Sequence, residues 1–96
     1  TQPAAVRIGS NSNINNFDIY PNPTKDIFSI SFTSEITQNI KIRIYNVIGA
    51  EIFSEIKESF IGDYSKQFNL ENFEKGIYII EIKTQNNIIN KKIVLQ

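Results

Sequence analysis

Two stretches decide the fold: "IFSISFT" (residues 27–33) and "NIKIRIYN" (residues 39–46). In the first, Phe28, Ile30 and Phe32 share one face and Ser29 and Ser31 the other. In the second, Ile40, Ile42 and Ile44 point one way, and Lys41, Arg43 and Tyr45 the other. A helix would put apolar residues three and four apart, so period 2 selects strands. "DYSKQFNL" (63–70) repeats the pattern through Tyr64, Phe68 and Leu70, with Lys66 as its one breach.

Short runs of Ile, Phe, Tyr and Val recur from Phe17 onward, broken by turn residues every eight to twelve positions or so, the spacing of an all-β sandwich or barrel. Seven strands are expected, over residues 17–20, 27–33, 39–46, 50–56, 63–70, 77–84 and 88–95. No helix longer than a turn is expected; "LENFEK" can supply one turn. The expected core is Phe28, Ile30, Phe32, Ile40, Ile42, Ile44, Phe68, Leu70, Tyr78, Ile80 and Ile82. In "YNVIGAE", Asn46 and Gly49 suit a type I turn closed by a left-handed glycine. Asn86 and Asn87 suit a two-residue primed turn, and "FIGDY" is expected to turn at Gly62.

Composition bounds the rest. The 96 residues make one domain, and a chain this short buries about 60–65% of its unfolded surface. Hydrophobic residues are 41%, which is a globular composition. Ten basic and ten acidic residues cancel. That argues against nucleic acid or an anionic membrane as the main partner, and no apolar run is long enough to insert in a bilayer as a helix. His, Cys, Met and Trp are absent. The commonest general base, thiol nucleophiles and usual zinc ligands are therefore missing, and no catalytic residue, metal or cofactor is expected. The lack of cysteine fits passage through an oxidising compartment. Without an initiating Met, the chain reads as the tail of a longer protein. Residues 1–16, polar and without a period, read as a flexible linker from an upstream domain, and 17–96 as the folded domain.

Three motifs stand out. In "YPNPTKD", Pro21 and Pro23 fix their own φ and hold Tyr20 and Asn22 extended, and Asn22 to Lys25 suits a type I turn. This is a rigid corner. In "LENFEKGIYIIEIKT", Leu70, Gly76 and Tyr78 have the spacing of a tyrosine corner, whose hydroxyl returns to the upstream backbone. The carboxylates are scattered without metal-loop spacing, and a glycosidase-like pair is a minor alternative because so small a domain has little room for a cleft. The last motif, "NKKIVLQ" (90–96), ends on strand-forming residues where a frayed polar tail is the norm. Its lysines suit a protected edge.

Together "YPNPT", "IYNVIGAEI", "GIYIIEI" and the final "KKIVLQ" resemble the C-terminal sorting domain (type A) of the type IX secretion system of Bacteroidetes-lineage bacteria, over about Phe17 to Gln96. The family's Pro-Asn-Pro falls on Pro21, Asn22 and Pro23. Its Leu-Tyr-Asn element falls on Ile44, Tyr45, Asn46 and Gly49, where Ile44 departs from the usual Leu. Its next element falls on Gly76, Tyr78 and Ile82, and its basic-aliphatic segment on Lys91 to Leu95. The resemblance implies a seven-stranded immunoglobulin-like antiparallel β-sandwich acting as an address label. A cargo enters the periplasm by its own signal peptide, this domain docks on the outer-membrane translocon, and a sortase-like peptidase usually cuts in the linker. The cargo is then released or joined to a surface glycolipid. Lys91, Lys92, Ile93, Val94, Leu95 and Gln96 are the expected recognition residues, with backbone groups available for strand addition. The rival is an immunoglobulin- or fibronectin-like accessory module with an exposed aromatic face, for which Tyr45, Phe53, Phe60 and Phe73 are the candidates. A plain spacer domain is a third reading.

Overall fold

The computed structural model describes residues 13–96, which form five antiparallel strands with no helix among them. They are β1 (Ile14–Tyr20), β2 (Ile27–Asn46), β3 (Glu51–Asn69), β4 (Gly76–Lys83) and β5 (Ile88–Leu95). β2 organises the sheet. β3 follows it from Ile27↔Asn69 to Tyr45↔Glu51. β1 pairs with its first half and β4 with its second half, and β5 pairs with β4.

The seven expected strands are thus five, because two pairs of expected segments are continuous. β2 takes up both 27–33 and 39–46, and β3 takes up 50–56 and 63–70. The β2–β3 register shifts between Ser34 and Gln38 and again before Ile40, so bulges bend the ladder without ending it. Gln38 Nε2 donates to Ser34 Oγ (3.0 Å), which itself donates to the Ile36 carbonyl (2.8 Å) and pins the bend. In β3 the bend falls near Ser59 (φ 50°) and Gly62 (φ 100°), so Gly62 serves a bend inside a strand and not the turn between strands expected there. The strained Ser59 amide donates to Asn39 Oδ1 at 2.9 Å, tying the two bends together.

The fold-back is measurable. Nine residues of straight strand span about 30 Å. Yet the Tyr64 hydroxyl donates to Glu55 Oε1 at 2.9 Å, and the Phe53 and Phe68 rings meet edge to face at 4.8 Å. The two halves of the sheet therefore close on one core. All eleven expected core residues are in it, none more than 8% exposed. Ile19, Tyr64, Ile93 and Leu95 join them. β1 begins at Ile14, inside the stretch read as linker; residues 1–12 lie outside the described residues.

Lys66, the breach in the pattern, has a use. It faces Ile30 across the ladder on the core side of the edge strand β3, with its ammonium 5.0 Å from the Phe53 ring and 3.7 Å from Glu55. Lys57 approaches Glu55 at 3.5 Å. Burial alone would push the Glu55 carboxyl up, but the Tyr64 hydroxyl, Lys66 and Lys57 outweigh it and hold the group below the usual carboxylate range. A carboxyl lowered on folding adds stability above its unfolded pKa and loses it as pH falls through the folded value. Glu55→Gln is therefore expected to lower stability by about 1 kcal/mol at neutral pH, since solvent reaching the half-exposed lysine side chains screens both ion pairs. The penalty should shrink as pH falls from about 5 to 3. Thermal melts across that range check it; parallel profiles for the two proteins would refute it.

Turn chemistry is partly as expected. The Gly49 amide donates to the Asn46 carbonyl (2.9 Å), Gly49 has φ 88°, and Asn46 Oδ1 accepts from the amides of Ile48 and Ala50. The β4–β5 loop differs. It closes through the Thr84 amide to the Asn87 carbonyl (2.8 Å), which makes Gln85 and Asn86 the loop residues. Neither Gln85 nor Asn86 has positive φ, so it is no primed turn.

Candidate recognition surface around the last strand

β5 fills the sheet position beside β4, from Gly76↔Leu95 to Lys83↔Ile88. Its period of 2 divides the six expected recognition residues. Ile93 (0% exposed) and Leu95 (2%) point into the core, where no partner of the folded domain reaches them. Lys92 and Gln96 are exposed and Val94 half-buried. Lys91 lies on the core-facing parity, with its ammonium 5.3 Å from the Phe17 ring of β1. A charge turned inward there discourages pairing with a foreign strand.

The Pro-Asn-Pro-Thr corner does more than turn the chain. Asn22 Nδ2 donates to the Lys92 carbonyl (3.0 Å), and Asn22 Oδ1 accepts from the Val94 amide (3.2 Å). The Thr24 amide donates to the Val94 carbonyl (2.9 Å), and the Gln96 amide donates to the Thr24 carbonyl (2.7 Å). In place of the type I turn expected over Asn22 to Lys25, Thr24 forms a parallel bridge with Leu95. Its hydroxyl donates to the Ile27 carbonyl at 2.6 Å. The backbone groups of β5 expected to be available for strand addition are thus occupied between Lys92 and Gln96. Sequence reasoning missed this contact; the only hint was an Asn held between two residues that lack amide hydrogens.

The other motif residues lie alongside. Asn46 pairs with Tyr78, which pairs with Ile93; Tyr45 pairs with Ile79, which pairs with Lys92. Tyr78 is buried and its hydroxyl donates to the Glu74 carbonyl at 2.6 Å, the tyrosine-corner contact the spacing predicts. Burial, then the charge of Glu74, pushes this phenol up, so it stays a neutral donor. Four motifs spread over more than seventy positions thus meet at one end of the sheet. There Asn46, Val47, Ile48, Gly76 and Ile77 line a shallow hollow of about 160 Å³. On the outer face the Arg43 guanidinium sits 5.0 Å over the Tyr45 ring and bonds Glu81 and Glu51.

The aromatic candidates for an accessory-module face do not form one. Phe53 and Phe60 are half-buried against the core, Tyr45 lies under Arg43, and Phe73 stands apart at 41% exposure. Among the described residues no group of three or more carboxylates could hold a metal ion. A wider open cavity, about 640 Å³, lies among Asn13, Gln38, Asn39, Lys41, Lys83 and Asn86, and none of the motif residues borders it.

These features define an all-β domain of five antiparallel strands whose last strand is clamped along its free edge by Asn22 and Thr24. The family model for the secretion system C-terminal sorting domain matches residues 18–96, and the chain belongs to that family, the type IX sorting domains. It is similar to an endo-acting ulvan lyase of Formosa agariphila, 33% identical over 79 residues, covering 81% of this chain and 14% of that protein. It is also similar to the ulvan lyase NLR42 of Nonlabens ulvanivorans, 34% identical over 70 residues, covering 72% of this chain and 12% of that protein. The chain spans less than a sixth of the length of these curated relatives. The domain is a secretion signal for a cargo protein, and the enzyme names belong to the relatives.

Proposed function

We propose that residues 17–96 dock an upstream cargo on the outer-membrane translocon of the type IX system after the cargo has crossed the periplasm. A sortase-like peptidase then removes the domain by cutting within or just before residues 1–16. The observation that carries this reading is the convergence of all four motifs at the end of the sheet where Asn22 and Thr24 hold β5. Of the recognition residues, Lys92, Val94 and Gln96 are those a partner can touch, with Lys91 at the edge. The seven expected strand segments, four of them joined in the two long bent strands β2 and β3, correspond on this reading to the two layers of an immunoglobulin-like sandwich. The cargo is a larger secreted or surface protein, as the lyase relatives suggest.

The test follows a fluorescent cargo fused ahead of residues 1–96 in a bacterium that has this export system. The expected result is export of the cargo, and its retention when a folded tag is added after Gln96. The melting temperature should barely change, because the tag leaves the Gln96-to-Thr24 bond in place. Normal export of the tagged chain would reject a signal at the last strand and place recognition elsewhere on the domain.

A further inference from the structure

The outer edge of β5 is closed by two residues acting as a short parallel strand. A strand neighbour would offer a donor and an acceptor in alternation. The Asn22 side-chain amide has one of each, and it meets the Lys92 carbonyl and the Val94 amide. The Thr24 peptide continues the pattern on the Val94 carbonyl and the Gln96 amide. Pro21 and Pro23 fix the backbone on either side of Asn22 and bring no competing amide hydrogens. Asn22 is itself exposed, so this side chain is not needed to fill the core.

We infer that Asn22 is a positioning residue for recognition: it caps the edge of β5 so that the export machinery reads the outer face of the strand instead of pairing with it. This rests on the address-label reading above. The face so presented carries Lys92 and Val94, which lie across from Ile79 and Ile77 of β4. Ile77 is 39% exposed, and Lys92 makes no ion pair among the described residues. The surface fits a protein partner that offers an apolar contact to Val94 and Ile77 beside a carboxylate for Lys92. Edge pairing would ask for the backbone groups that Asn22 and Thr24 already hold, so the two modes respond to loss of Asn22 in opposite directions.

The experiment uses Asn22→Ala, Asn22→Asp and Lys92→Glu in the 96-residue chain, with amide exchange followed by NMR and export of the fused cargo measured in cells. In Asn22→Ala the Val94 amide should exchange about tenfold faster, while Ile44 and Ile80 keep their protection. Export should fall severalfold. Asn22→Asp keeps the acceptor for Val94 but loses the donor to Lys92, and should fall between. Lys92→Glu should reduce export with the Val94 amide still protected. The inference is overturned if Val94 protection is unchanged in Asn22→Ala, or if export holds or rises once the edge is open. It is equally overturned if Ile44 and Ile80 lose protection too, since Asn22 would then hold the whole fold. Failure of the unaltered chain to export cargo would sink the address-label reading instead, and leave the exchange result to judge the clamp by itself.

Discussion

Ile42→Ala is expected to lower the melting temperature of the domain by roughly 10–30 °C. Ile42 has no exposure and sits mid-ladder in β2, opposite Ile82 on β4 and Glu55 on β3. Strands on both sides keep the site from collapsing around the lost atoms, so the cavity term adds to the lost burial, for about 2–5 kcal/mol in all. In a domain of this size each kcal/mol moves the midpoint by about 4–8 °C. Ile56→Ala is the matched control, because Ile56 is 62% exposed on the solvent side of β3. It should change stability by less than about 0.5 kcal/mol. Thermal melts by circular dichroism compare the two, and similar losses in both would show that Ile42 is not central to the core.

Deleting Lys92 to Gln96 is expected to be at least as damaging, for a reason the sequence did not reveal. The deletion removes Ile93 and Leu95, both almost wholly buried, at about 1.5–3 kcal/mol each. It also removes the pairing of β4 from Gly76 to Ile79 and all four bonds to Asn22 and Thr24. A small domain is stable by only about 5–15 kcal/mol. The truncated chain should melt at least about 15 °C lower, or lack a cooperative transition, and be cut quickly by protease. A melt within a few degrees of the intact chain would show that the last strand stands outside the core. Loss of export after this truncation therefore reports folding as much as recognition. Lys92→Glu and the tag after Gln96 separate the two.

Much of this was legible in the residues. Phe28 to Phe32 and Ile40 to Ile44 announce strands through period 2, and the same parity in both stretches is what lets β2 run on as one strand with one core face. The Asn46–Gly49 turn and the Tyr78 hydroxyl bond followed from local chemistry, since each depends on partners no more than four residues away. Where local chemistry was ambiguous the expectation slipped. The Asn86–Asn87 turn moved by one residue, because the β4–β5 register, set by packing of Ile80, Ile82 and Ile93, decides where the loop begins.

Side-chain period and motifs read in order along the chain were enough for the strand-forming segments, for eleven of the fifteen core residues and for the family. Tertiary structure alone decided that Ser34 to Asn39 bends instead of turning, since that depends on β3 pairing past the bulge at Gln38↔Phe60. It alone decided that Lys66 belongs beside Glu55 and Phe53, which only the fold-back of β3 brings near. And it alone decided what Asn22 does. Its partners, Lys92 and Val94, lie 70 and 72 residues away, and a hydrogen bond acts over about 3 Å whatever the distance along the chain.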